Sequence, residues 1–169
     1  MGVFETILYV IIIMVIHELG HVGTAMLLRI PIKKIGVTMK PYPSLYVAVY
    51  DNHIQPYKRN LFLISGNGIT LICFIIYLLI GYYRPEITYA FIIQIINDLN
   101  PFHSDYQIML FSIVCKKDIL KSSAYDNSED LIRTIYNDKY YLGIYWIIHF
   151  FVWGIISAFL VKNLIIHEL

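Results

Sequence analysis

Apolar residues fill four long segments of the chain, and polar residues separate these segments. The segments are approximately 3–28, 61–83, 87–115 and 141–161. Each has the roughly 20 residues that an α-helix needs to cross a bilayer. The pattern predicts an all-α polytopic membrane protein with about four transmembrane helices. It divides into a three-helix core, 1–115, and a second part, 116–169, with a cytoplasmic segment and the fourth helix.

The third segment is interrupted by polar residues. Its middle, Asn97 to Asp105, reads NDLNPFHSD and contains Pro101. Proline removes a helical hydrogen bond and clashes with the preceding turn. Irregular backbone at membrane depth is tolerated only where protein or a water-filled cavity lines it. The third helix is therefore predicted to be broken and to border a polar site.

The first polar loop, 29–60, has the pattern of a β-hairpin. The stretches 34–40 and 45–50 are short and rich in β-branched and aromatic residues, and Pro41 to Ser44 separates them. Such runs flanking a proline-containing turn are typical of paired strands. In the second polar loop, 129–136 is either a short interfacial helix or part of a solvated loop.

Basic residues indicate the orientation. Loop 29–60 holds six Lys and Arg residues and segment 116–140 holds five, whereas Arg84 and Lys162 lie on the other side. By the positive-inside rule, the two basic loops are cytoplasmic and both termini are outside. Usage rich in Ile, Asn, Lys and Tyr indicates an AT-rich bacterial source, and hence a bacterial plasma membrane.

Composition agrees with a protein of the lipid bilayer. The chain has 169 residues, of which 58% are hydrophobic, and a net charge of +1. Soluble domains are usually nearer 45–50% apolar. The balanced charge gives no sign of a nucleic-acid partner. Cys73 and Cys115 lie in apolar segments, which favours buried thiols over a disulfide.

Candidate chemistry lies in the first apolar segment, in the sequence His17-Glu18-Leu19-Gly20-His21. Ionisable groups are costly in hydrocarbon, so their presence there points to function. Residues four apart share one face of a helix, so His17 and His21 can bind one Zn²⁺. Glu18 can then act on a water molecule at the metal, which makes it the candidate catalytic base.

A catalytic zinc usually has three protein ligands, and Asp105 is the best third candidate. His17 lies 11 residues from the inner end of its segment at 28, and Asp105 lies 10 from 115. At about 1.5 Å per residue these depths agree within one helical turn. His103 is the alternative third ligand.

The motifs resemble those of the site-2 family of intramembrane zinc metalloproteases. The resemblance covers roughly 3–115 and rests on three stretches: HELGH at 17–21, SGNG at 65–68 and LNPFHSDY at 99–106. It implies that His17, His21 and Asp105 hold the zinc. It also implies that Glu18 activates the water that attacks a peptide bond. Tyr106 stands where the family usually has Gly.

Several further polar residues have two interpretations. Asn100 and Asn67 are candidates for binding substrate or a zinc ligand, or else they satisfy nearby backbone groups. His103 is otherwise a pocket residue beside the ligands. Asp98 is interpreted as a helix-end polar group, with a metal ligand as the alternative. His149 is interpreted as an interhelical hydrogen-bonding residue, with an approach to the site as the alternative.

The expected partners are a membrane-protein or peptide substrate and the lipid bilayer. The predicted activity is hydrolysis of a peptide bond in or near a transmembrane segment or in a membrane-associated peptide precursor. Two non-proteolytic alternatives use the same metal site. One is an inactive relative that binds a partner, and the other is a metal-ion transporter, although transporters often carry paired repeats that this chain lacks.

Overall fold

The computed structural model describes residues 2–38, 44–49, 54–102, 104–115 and 136–162. Within these residues the protein is mostly helical, with one small antiparallel sheet. The elements are α1 (Val3–Leu28), β1 (Ile32–Thr38), β2 (Ser44–Val49), α2 (Pro56–Ile80), α3 (Pro85–Asp98), α4 (Asp105–Val114) and α5 (Ile144–Leu160). A short π-helical turn, Tyr136–Tyr140, precedes α5. The predicted helical class is confirmed.

Helix α1 is a continuous apolar helix with a defined end. Arg29 adopts the left-handed conformation, with φ 55°. The amide of Ile30 then donates to the carbonyl of Ala25 at 2.8 Å, which closes the last turn as a Schellman motif does. Lys58 Nζ donates to the carbonyl of Leu28 at 3.0 Å and neutralises the negative end of the helix.

The two strands follow directly and pair as a hairpin. Ile35 lies opposite Val47, and Thr38 lies opposite Ser44. An irregularity in the register lies between Ile32 and Lys34. The predicted hairpin is therefore confirmed, and β2 packs against α1. The connecting residues 39–43 lie outside the described residues.

Two of the described helices, α1 and α2, are long and apolar enough to cross a membrane. Helix α2 begins at Pro56, five residues before the predicted start at 61, because proline is well tolerated in the first turn of a helix. The helices α4 and α5 are apolar but shorter. The stretch 129–136, for which a short helix and a solvated loop were both open, lies outside the described residues except for Tyr136.

The predicted break in the third segment is present, since α3 ends at Asp98 and α4 begins at Asp105. Asn100 stabilises the connection. Its Nδ2 donates to the carbonyl of Asn97 at 2.6 Å, and its Oδ1 accepts from the amide of Phe102 at 2.9 Å. These bonds satisfy backbone groups that the interrupted helix leaves without helical partners.

Helix α5 packs against the break through three ring N–H donors on one face. Each donor reaches a main-chain carbonyl at the end of α3 or in the connection. The pairs are Trp153 Nε1 with Ile96 at 2.9 Å, His149 Nε2 with Leu99 at 2.8 Å and Trp146 Nε1 with Pro101 at 3.0 Å. His149 thus makes the predicted interhelical hydrogen bond.

Candidate metal centre

The site is built from the middle of α1. His17 and His21 lie one turn apart on the face that packs against α2 and α3, and both are buried. Their Nε2 atoms lie 3.2 Å from each other. The helical spacing of the motif and the burial of its apolar neighbours therefore bring both imidazoles to one point.

Asp105 joins the two histidines from the first turn of α4. Its Oδ2 lies 2.9 Å from His21 Nε2 and 3.4 Å from His17 Nε2. The hydroxyl of Ser104 accepts from the amide of Gln107 at 3.1 Å and caps this helix. A helix N-terminus favours a carboxylate, so the break both frees Asp105 from the apolar run and stabilises its charge. The group His17, His21 and Asp105 could hold a metal ion.

The other ring nitrogens show how the imidazoles are oriented. His21 Nδ1 lies 2.7 Å from the main-chain carbonyl of Phe62. His17 Nδ1 lies 3.2 Å from Asp98 Oδ2. Because a carbonyl and a carboxylate accept hydrogen bonds, each Nδ1 carries the proton in the neutral ring. The lone pairs of both Nε2 atoms therefore face Asp105, an arrangement that favours a cation among them.

The spacing of the three candidate ligand atoms suits a small tetrahedral metal ion. A tetrahedral ion with bonds of about 2.0–2.1 Å keeps its ligands roughly 3.3 Å apart. The three observed separations, 2.9, 3.2 and 3.4 Å, lie around this value. Gly66 on α2 leaves space beside them, because a Cβ there would lie 2.5 Å from both histidine Nε2 atoms. The residues present therefore fit a metal ion.

A cavity of about 210 Å³ opens beside this group. Glu18 lies on its wall, next to His17 in the chain. Glu18 Oε2 is buried and has no hydrogen-bond partner among the described residues. The remaining wall combines polar side chains, most of them on α3, with largely apolar side chains of α1, α2 and β2. It includes Met14, Tyr46, Val47, Phe62, Gln94 and Asn97.

The three other predicted site residues lie in different places. Asn67 lines the cavity, and its Nδ2 donates to the carbonyl of Asp98 at 3.3 Å. Asn100 lies in the connection between α3 and α4, where its side chain bonds to the backbone. His103 lies outside the described residues. Asp105 is thus the third ligand candidate that the structure brings to the two histidines.

The main contact that sequence reasoning missed is that of Asp98. This residue does end α3, as interpreted, but its carboxylate also reaches His17 Nδ1. Gln94, one turn earlier on the same helix, donates to Asp98 Oδ1 at 2.7 Å. The available signal was a glutamine within the apolar part of α3, four residues before Asp98, a spacing that places both on one helix face.

Comparison with known proteins assigns neither a family nor a function to the chain. No family model, no curated protein and no solved structure matches the chain. The protein is accordingly defined by its own features: a mostly helical chain with two helices able to cross a membrane and a possible metal centre between α1 and α4. Its function is inferred from that geometry.

Proposed function

We propose that the chain is an intramembrane zinc metalloprotease. It would hydrolyse a peptide bond in or near a transmembrane segment or in a membrane-associated peptide precursor. The observation that carries this proposal is the convergence of three lone-pair donors, from His17, His21 and Asp105, beside Glu18 on an apolar helix. The resemblance of the same motifs to site-2 proteases supports it.

The proposal includes four membrane crossings with cytoplasmic basic loops. Helices α1 and α2 would make the first two. The 14 residues of α3 and the 10 of α4 give about 36 Å of helix, enough for a third crossing of a core about 30 Å thick. The 17 residues of α5 give about 26 Å and would form the fourth with flanking residues.

The chemistry follows from the arrangement of the side chains. His17, His21 and Asp105 would hold Zn²⁺, which when bound lowers the pKa of a water molecule and polarises the scissile carbonyl. Glu18 would accept the proton of the attacking water and deliver it to the leaving amine. Its buried Oε2, with no partner among the described residues, is available for that transfer.

Substrate binding would use the cavity and the hairpin. Leu45, Tyr46 and Val47 of β2 line the cavity, and the edge of β2 away from β1 is unpaired within the described residues. An extended substrate could add to this edge as a further strand, which exposes its peptide bond to the site. Asn67 Oδ1 is buried on the cavity wall with no described partner and could accept a substrate N–H.

The first experiment measures zinc in detergent-purified protein prepared without chelators. We expect about one zinc per chain in the wild type and in Glu18→Gln. The His17→Ala/His21→Ala protein should lose it, and Asp105→Ala should lose zinc or bind it much more weakly. An absence of zinc in the wild type would contradict the proposal.

The second experiment tests proteolysis in proteoliposomes containing a library of single-span transmembrane peptides. New peptide termini, identified by mass spectrometry, should form with the wild type and not with Glu18→Gln. Equal cleavage by both proteins would exclude Glu18 as the base. Zinc without cleavage would favour the inactive relative, and zinc uptake into the vesicles would favour the transporter.

A further inference from the structure

Asp98 is a buried carboxylate that the proposed reaction does not use. Only 6% of this residue is exposed. Both of its oxygens nevertheless have partners: Oδ2 lies 3.2 Å from His17 Nδ1, and Oδ1 accepts from Gln94 Nε2 at 2.7 Å. Burying a carboxylate costs free energy unless it is paired and hydrogen-bonded. Both of the contacts that compensate for this burial come from polar side chains, and one of them is a candidate metal ligand, His17.

The two histidines differ in the hydrogen-bond acceptor that their Nδ1 atoms face. His21 donates from Nδ1 to the neutral carbonyl of Phe62, whereas His17 faces the carboxylate of Asp98. A carboxylate behind a metal-binding imidazole fixes the ring tautomer and makes the opposite nitrogen a stronger ligand. His17 therefore has the more firmly fixed ring, and its Nε2 is the stronger of the two nitrogen ligands.

Gln94 keeps Asp98 in place from within the same helix. It is buried, with 4% of the residue exposed, and lies one turn before Asp98. The backbone of Asp98 is held as well, because Asn67 Nδ2 of α2 donates to its carbonyl at 3.3 Å. The carboxylate is thus oriented by contacts within the protein, as the supporting residues of a preorganised site are.

We propose that Asp98 is a positioning residue, oriented by Gln94, that holds the His17 imidazole for metal binding. The inference rests on the proposed metal site but does not depend on the activity being proteolysis. It assigns to α3 a part in the centre beyond that of packing. The order of contacts is Gln94 to Asp98 to His17, and then to the ion.

The test measures Zn²⁺ affinity by competition with a chromophoric chelator, together with the visible spectrum of the Co²⁺-loaded protein. Asp98→Ala should weaken zinc binding about 10- to 100-fold and change the Co²⁺ spectrum. Asp98→Asn, which retains a neutral acceptor, should lose less. Gln94→Leu should give a smaller loss in the same direction. Stoichiometry at saturating zinc should remain one per chain in all three.

Thr88→Val serves as the control. Thr88 is also buried on α3, where its hydroxyl bonds with that of Tyr77 at 2.9 Å, but it lies ten residues from Asp98, about 15 Å along the helix. This variant removes a buried hydrogen bond of the same helix and should leave zinc affinity and the Co²⁺ spectrum unchanged. If Thr88→Val lost as much zinc affinity as Asp98→Ala, the cause would be the packing of α3, and the inference would be overturned.

The remaining outcomes separate the inference from the proposed function. Wild-type affinity and spectrum in both Asp98 variants would overturn the positioning role while leaving the zinc site intact. Loss of stoichiometric binding in Asp98→Ala, as in His17→Ala/His21→Ala, would make Asp98 a ligand instead and overturn it too. A wild type that binds neither metal would contradict the site itself, and with it the proposed function.

Discussion

At the residue scale, Gly66 determines whether both imidazoles can face a common ion. It lies on α2 and is buried against α1. A Cβ at this position would lie 2.5 Å from His17 Nε2 and 2.5 Å from His21 Nε2. Side-chain carbon and ring nitrogen do not approach this closely, so a methyl group would displace the ligand atoms. The absence of a side chain at Gly66 is therefore part of the candidate metal centre.

Replacing Gly66 by Ala should abolish stoichiometric zinc binding and, with it, any cleavage. The matched control is Gly68→Ala on the same helix, since a Cβ there meets nothing within 4 Å. Alanine in a helix interior is favoured over glycine by roughly 0.5–1 kcal/mol, so Gly68→Ala should be folded and bind zinc normally. Metal analysis of the two purified proteins is sufficient. Full zinc content in Gly66→Ala would show that the histidines do not converge as described.

At the element scale, α5 fixes the break between α3 and α4. The carbonyls of Ile96, Leu99 and Pro101 belong to residues around the break and accept from ring N–H groups of α5. A buried carbonyl without a partner costs about 1–3 kcal/mol, so these bonds stabilise an otherwise costly interruption. Asp98 and Asp105 flank this connection, and α5 therefore supports both carboxylates of the site.

An aromatic cluster joins the end of α4 to the start of α5. Its buried members are Phe111, Cys115, Tyr140 and Trp146. Burial raises the pKa of the Tyr140 phenol to about 12. Cys115 is buried in this cluster, whereas Cys73 in α2 is only partly buried.

Trp153→Phe tests the support that α5 gives to the break. The substitution keeps an aromatic ring but removes the donor to the carbonyl of Ile96, at 2.9 Å. We expect a loss of about 1–3 kcal/mol in unfolding free energy and a weaker zinc affinity. Thermal unfolding in detergent and zinc competition measure the two effects. Ile155→Val, at an exposed position of the same helix, is the control. Equal stability of Trp153→Phe and the control would contradict this role of α5.

At the scale of the whole molecule, local patterns predicted much of the fold. The length of the first apolar segment predicted a helix over 3–28, and α1 has these bounds, Val3–Leu28. Pro101 and its polar neighbours predicted the break, and the β-branched runs predicted the hairpin. These features depend on residues close together in the chain, where periodicity and backbone chemistry act directly. The stretch 116–135, for which a cytoplasmic segment was predicted, lies outside the described residues.

Contacts between elements that are distant in the chain were harder to predict from the sequence. The bond between His17 and Asp98 joins residues 81 positions apart, and it depends on how α1 and α3 are rotated against each other. Helical periodicity identifies the polar face of each helix but not the neighbour that it meets. The same limit applies to Trp146 and Trp153, whose indoles were not expected to bond to the break. Asp105 was predicted because membrane depth, unlike rotation, can be counted along the chain.

The proposed orientation places β1 in the cytoplasm and the α2–α3 connection outside. Lys33→Cys on β1 and Tyr82→Cys in that connection probe the two sides, since both residues are exposed. In intact cells, a membrane-impermeant maleimide should label Tyr82→Cys, and Lys33→Cys only after permeabilisation. The wild type, whose two native cysteines lie in apolar segments, gives the background. Because β2 lines the cavity, a cytoplasmic hairpin would place the entry of the proposed substrate on the inner side of the membrane. The reverse labelling pattern would invert the topology and direct the substrate search to segments on the outer side.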